Sequence, residues 1–250
     1  MVKLGVYEGL CGGREGRWAF RQHGGWGLLD ADCKVVVRPF YEEVSGFRDG
    51  LCRVVRSSGE TAYIDRYGSV RIELPDAKCE GGNFCEGLAR VLYWFPGTRD
   101  LYGYISTEGR IAIEPRFGSA GDFSEGLAPV SMTQDGWFNL EGTELIGGWS
   151  PAPDLPEPPP AWGFINRKGE VVIPLIYEKA LYFSEGLAAV KQGGKWGYID
   201  RTGRMVIGAG FENAYGFRNG IAKVVIGERV VYIDKTGRIL VRTDMEGLEF

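Results

Sequence analysis

Residues 195–207 read Lys195-Trp196-Gly197-Tyr198-Ile199-Asp200-Arg201-Thr202-Gly203-Arg204-Met205-Val206-Ile207. Two short runs rich in aromatic and β-branched residues flank an Asp-x-x-Gly step, which reads as strand, turn, strand with no room for a helix. The Asp side chain bonds forward to the turn backbone and the Gly supplies positive φ, closing a type I turn with a bulge. The pattern recurs along the chain. Read from its second position, the copies begin at Gly27, Ala62, Gly103, Gly136, Gly163, Gly197 and Val231, with spacings of 35, 41, 33, 27, 34 and 34 residues. A fixed period of this size marks an array of one small supersecondary unit.

A second turn recurs as aromatic-x-acid-Gly: Phe47-Asp49-Gly50, Phe84-Glu86-Gly87, Phe123-Glu125-Gly126, Phe183-Glu185-Gly186 and, with Asn for the acid, Phe217-Asn219-Gly220. Glu15–Trp26 aligns without a gap on Glu185–Trp196, so the array is expected to start part-way through a unit that lacks its opening strand. Gly136–Ile146 aligns on Gly197–Ile207 and reads as a disguised copy. Residues 149–161, Trp-Ser-Pro-Ala-Pro-Asp-Leu-Pro-Glu-Pro-Pro-Pro-Ala, break the pattern, because proline cannot donate to a sheet ladder. In the first copy Asp30 is followed by Cys33 where Gly is expected, which predicts a different turn there.

On Trp26-Gly27, Trp162-Gly163, Lys195-Trp196-Gly197-Tyr198-Ile199-Asp200 and the hairpins 123–128 and 183–188, the chain resembles the WG-repeat (KWG) family of mostly bacterial β-rich repeats. The resemblance spans about nine tenths of the chain, implies a repeat array, and brings no shared catalytic motif. Thr61-Ala62, Tyr102-Gly103, Asp135-Gly136 and Val230-Val231 depart from it by lacking the Trp.

The expected fold is all-β: a single array over 1–250 of units of about 34 residues, each with three to four short antiparallel strands. Hairpin copies fall near 15–37, 47–74, 84–113, 123–146, 162–174, 183–207 and 217–241, with a Pro-rich insertion at 149–161. Consecutive apolar positions such as Tyr198-Ile199 imply strands packed on both faces. That, and chain ends that look like two parts of one unit, fit a propeller-like closed ring of six or seven units better than an open β-solenoid.

Formal charge is −4, and the 29 Lys and Arg are scattered, which argues against nucleic acid as a partner. No apolar run approaches the length of a membrane span, and the first residues lack a signal-peptide h-region. Five cysteines, an odd number in the first third, fit a reducing, cytoplasmic setting. Nothing demands more than a monomer.

No catalytic, cofactor or metal site is expected. His23 is the only histidine, so no His-based triad can form. Cys52 occupies a column held elsewhere by Ala89, Ala128, Ala188 and Ala222, and no C-x-x-C pair exists. Asp49, Glu86, Glu125 and Glu185 could ring one face as acids, but they sit at a fixed turn position where Asn219 substitutes. Trp26, Trp162 and Trp196 belong to the repeat column and read as core. Trp94 and Phe95, in the loop behind the 41-residue spacing, and Trp149, Pro151 and Pro158, in the Pro-rich segment, are not demanded by the repeat. Loop aromatics of that kind are candidate partner contacts. The expected function is a non-enzymatic protein-interaction scaffold for an unidentified protein partner; the alternative is a small-ligand or glycan-binding β-propeller.

Overall fold

The structure, a computed structural model, describes residues 9–74, 80–94, 100–132 and 161–242. These residues form six four-stranded antiparallel sheets, each built from strands consecutive in sequence. The first holds β1 (Gly9–Arg14), β2 (Arg17–Gln22), β3 (Gly25–Leu29) and β4 (Val35–Tyr41), and the second β5 (Glu43–Val44), β6 (Cys52–Val55), β7 (Thr61–Ile64) and β8 (Val70–Glu73). The third holds β9 (Glu80–Gly81), β10 (Leu88–Tyr93), β11 (Leu101–Ser106) and β12 (Ile111–Phe117), and the fourth β13 (Ser119–Ala120), β14 (Leu127–Ser131), β15 (Trp162–Asn166) and β16 (Val171–Tyr177). The fifth holds β17 (Lys179–Ala180), β18 (Leu187–Gln192), β19 (Lys195–Asp200) and β20 (Met205–Phe211), and the sixth β21 (Asn213–Ala214), β22 (Ile221–Ile226), β23 (Arg229–Asp234) and β24 (Ile239–Arg242). The chain divides into two compact units, 1–115 and 116–250.

Three expectations are corrected. The opening strand of the first unit is present as β1, which pairs with β2, and among the described residues no sheet combines strands from the two chain ends. The Glu15-Gly16 turn between them is the first acid-Gly turn, and its entering strand was missed because Gly-Leu-Cys-Gly-Gly-Arg has no apolar alternation. Second, β14 pairs with β15 from Leu127↔Asn166 to Ser131↔Trp162. Residues 127–131 and 162–166 therefore belong to one sheet, and the array of described residues has six units. The copy read at Gly136–Ile146 lies outside the described residues. Third, Asp30 makes the same turn as its counterparts: its Oδ1 accepts from Asp32 N and Lys34 N, as Asp200 Oδ1 accepts from Thr202 N and Arg204 N. Cys33 itself takes φ 60° in place of the glycine, at a cost of about 1 kcal/mol for a residue with a Cβ.

The glycine of Trp-Gly is set by close backbone approach. A Cβ on Gly27 would stand 2.4 Å from Val37 O, on Gly163 2.5 Å from Ile173 O, and on Gly197 2.6 Å from Ile207 O. At these three places the ladder to the fourth strand shifts register twice, which carries the Trp opposite an aromatic further along: Trp26↔Tyr41, Trp162↔Tyr177 and Trp196↔Phe211. Where Ala62 replaces the glycine, the register shifts once and the fourth strand is only four residues long.

The core lies in layers between consecutive sheets within each unit. One layer joins Trp196, Tyr198 and Ile207 of the fifth sheet to Phe217, Val224 and Ile233 of the sixth; another joins Phe164 and Ile173 of the fourth to Phe183 and Val190 of the fifth. Third strands are thus buried on both faces, with Tyr198 and Ile199 both at 0 % exposure. A ring pair recurs in three layers, Tyr63–Phe84, Phe164–Phe183 and Tyr198–Phe217, all with centroids 4.9 Å apart. The phenols close their own hydrogen bonds, Tyr63 OH to Gly82 O and Tyr198 OH to Tyr215 O.

Gly197→Ala is expected to destabilise the protein by about 2–3 kcal/mol, because the new methyl meets backbone that cannot move aside. Ala62→Gly, at a site with room for a Cβ, should cost about 1 kcal/mol or less. Urea unfolding of the two variants checks the difference.

Candidate functional site

The repeated acids have an architectural task. Glu15, Asp49, Glu86, Glu125, Glu185 and Asn219 each take φ between 51° and 56° and precede a glycine of positive φ, the signature of a two-residue type I′ turn. Such a position favours Asn. Four acids instead reach the next sheet: Asp49 Oδ2 accepts from Gly87 N at 2.7 Å, Glu125 from Gly186 N at 2.9 and 3.2 Å, Glu185 Oε2 from Gly220 N at 2.8 Å, and Glu15 Oε1 from Gly50 N at 3.4 Å. The neighbouring serines bind the same turns, with Ser124 Oγ donating to Phe183 O and Ser184 Oγ to Phe217 O. In the sixth sheet the position is Asn219. The Gly220 N–H first, and the Lys235 ammonium at 3.2 Å after it, hold the Glu185 carboxyl below its ordinary value.

The other chemistry-bearing residues are dispersed. His23 opens the exposed His23-Gly24 turn between β2 and β3. Cys52 is buried, its thiol bonded to Ser45 O at 3.1 Å and pushed up to about 11 by burial, which keeps it protonated. Cys33 is exposed in its turn. Among the described residues no three His, Cys, Asp or Glu side chains converge as metal ligands.

The irregular loops share one topological place, the connection from second to third strand. In the first, fifth and sixth sheets this tip is a two-residue turn: His23-Gly24 within Gln22↔Gly25, Gly193-Gly194 within Gln192↔Lys195, and Gly227-Glu228 within Ile226↔Arg229. The second sheet uses 56–60 between Val55 and Thr61. The third inserts 94–100 between Tyr93 and Leu101, and the fourth 132–161 between Ser131 and Trp162. In both, the ladder is intact up to the base of the insertion. Trp94 stands at the first of these tips and is 39 % exposed. Phe95, Trp149, Pro151 and Pro158 lie outside the described residues.

Two exposed tyrosines had escaped notice, Tyr182 and Tyr215, in the loops that lead into the acid-Gly turns. The Lys223 ammonium sits 4.1 Å from the Tyr215 ring centroid. Column comparison could have found them, since other repeats place Ser45, Gly82, Gly121 and Leu181 opposite Tyr215, and Gly46, Asn83, Asp122 and Gly216 opposite Tyr182.

The WG containing repeat family matches residues 26–56, 102–134, 162–196 and 196–229, a little over half of the chain. The chain belongs to the WG-repeat family. No curated protein matches it. Among solved structures, Hsv2 of Kluyvelomyces marxianus is 12% identical, with 88% of this chain and 73% of that chain covered and a TM-score of 0.51. Hsv2p of Kluyveromyces lactis is 11% identical, with 88% and 71% covered and a TM-score of 0.50. BamB of Moraxella catarrhalis is 10% identical, with 96% and 76% covered and a TM-score of 0.47. The two Hsv2 proteins are propellers, so this WG-repeat chain shares a propeller-like repeat fold with them, and at this identity the likeness speaks to fold alone.

The clasp made by Glu185 has a defined pH dependence. Its folded-state pKa is lowered, so the stabilisation is fully present above the ordinary value of 4.5 and is lost as pH falls through the lower, folded value. Wild type is expected to melt above Glu185→Gln at pH 7, with the gap closing below pH 4.5; thermal unfolding of both across acid pH checks this.

Proposed function

We propose that this WG-repeat protein is a non-enzymatic interaction scaffold, acting in the cytoplasm, whose partner contacts are carried by the two enlarged hairpin tips at 94–100 and 132–161. Trp94, Phe95, Trp149, Pro151 and Pro158 are the proposed contact residues. One observation carries the reading: both insertions leave their ladders complete at Tyr93↔Leu101 and Ser131↔Trp162, at a place three other sheets close with two residues and the second with 56–60. Sequence that the framework does not use is free to serve recognition. The engagement of four repeated acids by neighbouring turns supports a scaffold over a carboxylate-based enzyme.

A second reading, small-ligand or glycan binding, draws on exposed Tyr182 and Tyr215, since aromatic faces beside a cation suit sugar rings or planar ligands. The two readings separate in one experiment. Trp94→Ala and Trp149→Ala are each expected to keep the wild-type melting temperature and to weaken capture of the native partner by about thirtyfold, the cost of a lost tryptophan anchor. Full capture by both variants contradicts the assignment. A glycan-array signal abolished by Tyr182→Ala and untouched by Trp94→Ala favours the second reading.

A further inference from the structure

In the unit 116–250, the sheet ends opposite the hairpin tips carry an uneven display of charge. The pairs Leu127↔Asn166, Leu187↔Asp200 and Ile221↔Asp234 set each acid-Gly turn beside the third-to-fourth turn of its own sheet. Contacts between sheets join these ends. Besides the Glu125 and Glu185 clasps, Arg116 Nη2 donates to Gly169 O at 2.6 Å, and Arg201 Nη2 lies 3.4 Å from where a Cβ on Gly126 would stand.

Cations outnumber carboxylates at this end, and their accessibility differs more than their number. The lone pairs of its carboxylates are engaged from within. Glu125 and Glu185 accept backbone N–H groups of the next sheet, Asp200 and Asp234 accept those of their own turns, and Glu170 accepts from Asn166 Nδ2. The cations point outward. Arg167, Lys168, Arg201, Arg204, Arg218 and Arg238 are all exposed, and none forms an ion pair among the described residues. The equivalent positions of the unit 1–115 carry fewer cations, Lys34, Arg48, Arg66 and Arg110, set among Asp32, Tyr67, Ser69 and Glu108, so the basic character is stronger in the unit 116–250 and is not a demand of the turn.

We propose that this end of the unit 116–250 is a docking face for an acidic polypeptide segment, with the exposed arginines as its anchors. Five of the six cations are arginines, whose planar fork matches a carboxylate with two parallel hydrogen bonds. They stand on turns tied to one another, so little ordering cost accompanies binding. A chain of net charge −4 is repelled by duplex DNA at long range, while a short acidic segment is drawn to the local cluster.

The test measures fluorescence anisotropy of a labelled oligoglutamate peptide with the full chain at low salt. Arg167→Gln, Arg201→Gln and Arg204→Gln combined should weaken binding about tenfold, whereas Lys179→Gln with Lys191→Gln, near the opposite sheet ends, should leave it unchanged. Thermal melts confirm that both variants are folded; should the triple variant unfold, Arg201→Gln and Arg238→Gln singly must each weaken binding. Equal loss in both sets, or no loss in either, overturns the proposal. So does labelled duplex DNA binding as tightly as the peptide with the same dependence on the arginines, since that result marks a general polyanion face.

Discussion

Close approach of the fourth-strand backbone to the glycine of Trp-Gly is the constraint from which the repeat follows. With no Cβ in the way, the ladder takes two register shifts and the fourth strand runs on for seven residues. The aromatic at its end packs opposite the Trp, and the next residue already donates to the following sheet: Glu42 N to Val55 O, Glu178 N to Lys191 O and Glu212 N to Val225 O. The long fourth strand thus delivers the chain directly into its neighbour. Where Ala62 stands, the fourth strand stops at Glu73, with Leu74 N donating a last bond to Thr61 O.

A second level of order ties consecutive turns together. A glutamate in the left-handed region is an unfavourable local choice, and the structure shows what offsets it: a charge-assisted hydrogen bond to the next turn, supported by a serine hydroxyl on a carbonyl. Each link is modest alone, and repetition makes the sheet ends of each unit a connected series in the manner of nearest-neighbour repeat arrays. The same links remove the carboxylates from the chemistry open to solvent and leave the basic side chains displayed.

Much of this was legible in the sequence. Strand periodicity, Asp-x-x-Gly and acid-Gly punctuation, and consecutive apolar positions in third strands gave the all-β repeat, because each has a local physical cause acting within a few residues. What was not legible depended on partners distant in sequence. β14 pairs with β15 across a long intervening segment, and no local signal reports a strand's partner. The turn at Cys33 kept its shape because Asp30 supplies the hydrogen bonds that define it, overriding the preference for glycine. The reach of Glu125 and Glu185 into a neighbouring turn was hidden for the same reason, and Trp94 alone among the anticipated contact residues falls where the structure describes it.

The framework stands apart from the sequence added to it: β14 and β15 pair from Leu127↔Asn166 to Ser131↔Trp162 with no partner drawn from the segment between them. Replacing 133–160 by Gly-Gly, the turn already used at Gly193-Gly194, tests this most directly by thermal unfolding followed by circular dichroism. The predicted result is an unchanged β spectrum and a cooperative melt within a few degrees of wild type, a change below about 1 kcal/mol. A shortened chain that fails to fold would contradict it, because the segment would then be part of the sheet and not an addition to it.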